Sequence, residues 1–198
     1  AMQHASEKKV NNIWLHVRED NPGAMELYTK LGFVERARRT SWQANTDPHA
    51  PTLQTDIAIT NRHPHDWPTQ LNWLSRLYPD FLAWHRDWSF NSLRPGFWNW
   101  LYLLFVDMNI HQWAAIRNDQ LEASLAWIPY GRGESLFAAT GERSDPHALT
   151  ALLLQARRDL SHSYPNIALE FPAAESDDAI HAAGFKSVRT LIWMQATS

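Results

Sequence analysis

Apolar residues alternate through "NIWLHV" (12–17), with Ile13, Leu15 and Val17 at every second position, the pattern of a strand. The period then lengthens. Ala24, Leu27, Tyr28 and Leu31 fall on one face of a helix that Asn21 can cap, that Pro22 suits in its first turn and that Gly32 can end. "FVERARRTSW" (33–42) reads as a second strand. Residues 166–194 repeat this layout: "NIALEF" alternates as a strand, "ESDDAIHAAGF" gives a short helix ending at Gly184, and "KSVRTLIWM" gives a last strand. The two Gly-Phe pairs, 32–33 and 184–185, lie about one domain length apart, which marks an internal repeat.

Between the copies, "TLQTDIAIT" (52–60) predicts a strand, and 65–79 a helix with Trp67, Leu71, Leu74 and Tyr78 on one face behind an Asp66 cap. More helix is expected through "DFLAWHRDW" (80–88). "HQWAAIRND", "QLEASLAWI" and "ESLFAAT" then predict three consecutive strands, with a hairpin turn at 117–119. A helix over 146–160 is capped by Asp145, takes Pro146 in its first turn and turns Leu149, Leu152, Leu153, Ala156 and Leu160 inward. "QANTDPHAP" (43–51) reads as a polar linker. "AMQHASEKK" (1–9) has helix formers without a starting signal, so either the natural chain extends upstream or Ala1 is a cloning remnant.

Composition narrows the chemistry. The 198 residues carry a net charge of -3, with 44% hydrophobic and 20% charged residues, a globular balance without the basic runs of a nucleic-acid or membrane-surface binder. A small-molecule or peptide substrate is the expectation, with no nucleic acid and no membrane partner. The absence of cysteine excludes disulfides, thiolate metal sites and a Cys nucleophile, and suits a reducing, cytoplasmic setting. The apolar run "FWNWLYLLFV" (97–106) is too short to span a bilayer. Eight of the eleven tryptophans fall between Trp67 and Trp127, where core and interface packing is the expected role.

One string carries a specific resemblance. "NNIWLHVREDNPGAMELYTKLGFVERARR" resembles the C-terminal motif of the GNAT superfamily, the GCN5-related N-acetyltransferases, in an N-x-x-A-x-x-L-Y-x-K-x-G-F pattern. Asn21, Ala24, Leu27, Tyr28, Lys30, Gly32 and Phe33 fill it. The resemblance implies an α/β (α+β) acyl-CoA N-acyltransferase fold, a mixed and mostly antiparallel sheet flanked by helices. It also implies a tandem protein: residues 1–48 would be the tail of a first unit, and 49–198 a second, degenerate unit. The activity implied is transfer of an acetyl or acyl group from acetyl-CoA to a small-molecule or peptide amine, without a metal, with this chain an inactive fragment. The alternative is a non-catalytic binding or scaffold module.

By the resemblance, Tyr28 would protonate the departing thiolate and Asn21 would support the cofactor or the helix start; without it, Tyr28 reads as an ordinary helix residue and Asn21 as a cap. Aligning the Gly-Phe pairs without a gap places Ile180 opposite Tyr28 and Ala173 opposite Asn21, so the second copy lacks both groups. The stretch matching the family's diphosphate loop is "GERSDPHA" (141–148), where Gly141 and Arg143 are candidate remnants. Asp145 would place a carboxylate where diphosphate belongs. Glu122, on a middle strand, is a candidate general base. His63 and His65 lack a supporting ligand cluster, and "GRG" at 131–133 reads as a turn. Residues 1–48 expose a sheet edge and are expected either to join the sheet of the second unit or to pair with another chain, giving a homo-oligomer.

Overall fold

The computed structural model describes residues 12–85, 89–105, 110–129 and 136–197. The expected helix at 1–9 and the "GRG" turn lie outside these residues. The elements in chain order are β1 (Asn12–Arg18), α1 (Pro22–Lys30), β2 (Val34–Asn45), β3 (Ala58–Asn61), α2 (Trp67–Leu77), α3 (Phe97–Phe105), β4 (His111–Arg117), β5 (Gln120–Trp127), β6 (Leu136–Thr140), α4 (Pro146–Asp159), β7 (Asn166–Pro172), α5 (Asp177–Ala182) and β8 (Lys186–Thr197). Short 3-10 turns at Pro64–Asp66 and Asp80–His85 flank α2, and another at Phe90–Leu93 precedes α3.

The strands form one eight-stranded sheet in the order β1-β8-β2-β7-β6-β5-β4-β3. Most neighbours are antiparallel; β6 and β7 are parallel and share a single register pair, Leu136 with Leu169. The order interleaves the two copies. β8, from the second, lies between β1 and β2 of the first, while β2 lies between β8 and β7. Residues 12–45 are therefore built into the sheet of the rest of the chain. Each copy's last strand hydrogen-bonds both strands of the other.

The repeat is also visible in the helix ends. Gly32 and Gly184 sit at φ +86° and +83°. The Phe33 N–H donates to Tyr28 O and the Gly32 N–H to Thr29 O; Phe185 donates to Ile180 O and Gly184 to His181 O in the same pattern. Both helices thus end in the same Schellman motif, with Phe33 and Phe185 buried behind it. At their starts they differ. Asn21 caps α1 through the Ala24 N–H at 3.0 Å, but the position before α5 is Ser176, left-handed at φ 60° and without a side-chain cap bond. α5 is shorter, and Ala173 has no capping role.

Several boundaries move from their sequence expectations. β3 is confined to 58–61, although alternation extends over 52–60, because only 58–61 reaches β4. β2 runs through Asn45, three residues into the stretch read as a linker, because Gln43, Ala44 and Asn45 pair with β7. Asp66 precedes α2, but its carboxylate accepts the His63 N–H at 2.9 Å instead of capping the helix. The turn at 118–119 is as expected: Asn118 and Asp119 both have positive φ, the two-residue connection that matches strand twist.

The main core lies under α4 and α5 and around Trp42, Leu125, Leu149, Leu152, Leu169 and Phe171. A smaller cluster, Val17, Phe33, Ile192, Met194 and Ala196, sits beneath α1 and takes Ala24, Met25 and Tyr28 at its margin. Trp113 and Trp127 are core residues, whereas Trp98 is 78% exposed.

Candidate functional site

The start of α4 is where a parallel β6-α4-β7 unit brings a strand end, a turn and a helix N-terminus together. Free amides there attract anions. In this chain they are engaged. The Gly141 N–H donates to Ser144 Oγ at 2.8 Å, and the Ser144 N–H returns a bond to Gly141 O at 3.2 Å. The Asp145 N–H donates to Glu122 Oε2 at 3.3 Å, the His147 N–H to Asp145 Oδ1 at 2.8 Å and the Ala148 N–H to Asp145 O at 2.9 Å. Pro146 has no N–H to offer. Gly141 is closed in by Trp73, whose ring atoms would lie 3.1 Å from an added Cβ.

The charges follow the same arrangement. Arg117, at the end of β4, donates to Asp145 Oδ2 at 2.6 Å and to Asp56 Oδ1 at 3.0 Å. The Arg117 hydrogen bond, joined by the His147 N–H, holds the Asp145 carboxyl down at about 2. The flanking carboxylates in turn raise the Arg117 guanidinium. Asp145 therefore occupies the positive end of α4 as a permanent anion, with Glu122 beside it.

The gap between β6 and β7 is filled as well. After their single register pair the two strands separate, which leaves backbone groups facing the opening. Arg76 donates to Thr140 O and to Glu175 Oε1, both at 3.0 Å, and Tyr78 donates its hydroxyl to Glu170 O at 3.2 Å. Arg39 from β2 pairs with the Glu170 carboxylate, reaches Leu77 O at 2.8 Å and lies 4.7 Å over the Tyr78 ring. Both members of this ion pair are buried.

The sequence candidates divide between two places. Glu122 and Gly141 meet at the α4 terminus; Arg143 is exposed in the same loop. Asn21 and Tyr28 lie apart from them on α1. Tyr28 is half-buried, its ring packed edge-on to Phe33 at 5.7 Å, and the Asn21 side chain is committed to its cap. His63 and His65 stack at 5.5 Å, and no group of three or more metal-ligating side chains converges among the described residues. Arg117, Arg76 and the Arg39–Glu170 pair had no signal in the sequence, and Tyr78 showed only as a position on the apolar face of the 65–79 helix, since the role of each depends on a partner far along the chain.

A coenzyme A diphosphate does not fit the α4 terminus as it stands: the Gly141, Ser144, Asp145, His147 and Ala148 amides are bonded within the chain, and the space carries two carboxylates. Among the described residues, no helix is long and apolar enough to cross a membrane.

No family model and no curated protein matches the sequence. Solved structures do match its fold. The chain is similar to a GCN5-related N-acetyltransferase from Kribbella flavida, with a TM-score of 0.59 over 100% of this chain and 73% of that one, at 11% identity. A tandem GNAT protein from the clavulanic acid biosynthesis pathway gives 0.55 over 98% and 66%, at 12% identity. A GCN5-related N-acetyltransferase from Sphaerobacter thermophilus gives 0.54 over 94% and 59%, at 13% identity. The chain spans 47% of the length of a similar acetyltransferase from Anabaena variabilis. At these identities the likeness is one of fold, and by its eight-stranded, mostly antiparallel sheet and its flanking helices this chain has the GCN5-related N-acetyltransferase fold.

Proposed function

We propose that this chain is a non-binding portion of an acyl-CoA-dependent N-acyltransferase: residues 1–48 close a first acetyltransferase unit, and residues 49–198 form a second unit that serves as scaffold. The observation that supports this reading most directly is the α4 terminus, where Asp145 and Glu122 hold amides that a diphosphate would require. The interleaved strands give the second unit a structural task, since β8 completes the sheet of the first.

In this reading, acetyl transfer to an amine belongs to the first unit of the whole protein. Tyr28 is its proton donor to the departing thiolate, and Asn21 fixes the start of α1. Glu122, engaged with the Asp145 amide, holds the loop. Gly141 and Arg143 are remnants without a cofactor role.

The test is calorimetric titration of acetyl-CoA into the 198-residue chain and into its Asp145→Gly variant. Absence of binding to the unchanged chain, with weak binding gained in the variant, is the expected result. Micromolar binding to the unchanged chain would show that the second unit grips the cofactor and would sink the proposal.

A further inference from the structure

Two side-chain atoms of the second copy are buried without a hydrogen-bond partner among the described residues: Ser124 Oγ, on a residue 0% exposed, and Gln70 Oε1, on a residue 1% exposed. A hydroxyl or an amide oxygen buried unbonded is costly, so each atom calls for a polar group that the neighbouring side chains do not supply. The strand register places them in one layer. Gln112 of β4 stands opposite Ala126 of β5, and Ala126 opposite Phe137 of β6; two residues along, Ala114 stands opposite Ser124, and Ser124 opposite Ala139. All six therefore share one face of the sheet. That face lies under α2, because Gln70 Nε2 donates to Gln112 Oε1 at 3.4 Å and Phe137 packs 5.8 Å from the Tyr78 ring at the end of α2.

The polar layer is satisfied at one end and not at the other. Gln112 Oε1 also accepts Arg62 Nε and Nη2, both at 3.2 Å, while Gln112 Nε2 and Arg62 Nη2 donate to Leu93 O at 3.4 Å and 2.6 Å. Toward β5 the hydrogen bonds stop. The residues around Ser124 on this face, Ala114, Ala126 and Ala139, offer only methyl groups.

We propose that one water molecule is bound between α2 and β5, donating to Gln70 Oε1 and accepting from the Ser124 hydroxyl. The chemistry of the pair selects this guest. An amide oxygen needs a donor and the hydroxyl can give its proton to an acceptor, so one small molecule that does both satisfies the two together. The burial of both residues restricts the guest to the smallest such molecule. Bound there, the water extends the Arg62–Gln112–Gln70 network onto β5 and ties α2 to the middle of the sheet.

Crystallography of the 198-residue chain and thermal unfolding of its variants test it. The expected result is an ordered water within hydrogen-bond distance of both Ser124 Oγ and Gln70 Oε1. Ser124→Ala takes a partner from that water and should lower the melting temperature by about 2–4 °C, whereas deleting a hydroxyl that bonds nothing would raise it. Ser124→Ala combined with Gln70→Met should lower it by less than the two single losses added, since both act on one water. A direct bond from Ser124 to another protein group, with no water at the site, overturns the proposal. A melting temperature that rises in Ser124→Ala, or single losses that simply add, overturns it equally.

Discussion

Arg39 of β2 and Glu170 of β7 form a buried ion pair that joins the first copy to the second. Arg39 is 3% exposed, and its remaining donors reach Leu77 O and Glu170 O, so the guanidinium is satisfied by groups from β7 and α2. Such a pair holds two segments in one register more surely than it adds net stability.

Breaking it from one side is therefore expected to be costly. Arg39→Met leaves a buried carboxylate uncompensated and should destabilise the chain by about 3–5 kcal/mol in urea unfolding. Replacing both residues by leucine should cost less than either single change. Equal costs for the single and double variants would show that the pair is not coupled.

The Asp145 carboxylate predicts a pH dependence. Its folded value is held at about 2, below the ordinary aspartate value, so its contribution is complete above that ordinary value and disappears as the pH falls through about 2. Asp145→Asn retains a cap and removes the charge facing Arg117. The variant should be less stable by about 1 kcal/mol at neutral pH, with the difference shrinking under acid. A constant difference from neutral pH down to pH 2 would contradict the assignment.

Gly32 and Gly184 share a backbone conformation but not a neighbourhood. Alanine at either position adopts a left-handed conformation at a cost of about 1 kcal/mol. At Gly32 nothing lies within 4 Å of the added Cβ, whereas at Gly184 it would come to 2.5 Å from Arg157 Nη1. Arg157 would have to give up its bond to Ala183 O. Chemical denaturation should rank Gly184→Ala as the more damaging variant, and the reverse order would refute this account of the α5 end.

Tyr28 contributes its ring to the small cluster under α1. Tyr28→Phe should alter stability by less than about 0.5 kcal/mol, while Tyr28→Ala should lose about 1–3 kcal/mol of packing. A large effect of Tyr28→Phe on unfolding would mean that the hydroxyl has a structural task.

How much of this was legible depended on whether the signal was local. α1 with its Asn21 cap and Gly32 end, the 118–119 turn and the Asp145 start of α4 were readable because each is a short-range hydrogen-bond pattern among adjacent residues. So was the repeat, whose Gly-Phe ends place the same Schellman bonds. The length of β3 was not, since alternation marks a possible strand and pairing with β4 decides where it stops. Arg39, in the run "RARR", reads as surface charge until Glu170 is brought beside it.

The sequence by itself determined the period of each element, the helix caps, the copy relationship and the carboxylate at the α4 terminus, all of them properties of neighbouring residues. Only the tertiary structure decided the interleaving of β8 and β2, the burial of Arg39 with Glu170 and the engagement of the α4 amides by Glu122 and Asp145. These depend on contacts between residues distant in the chain, and their free energy comes from desolvation and pairing that no local pattern encodes.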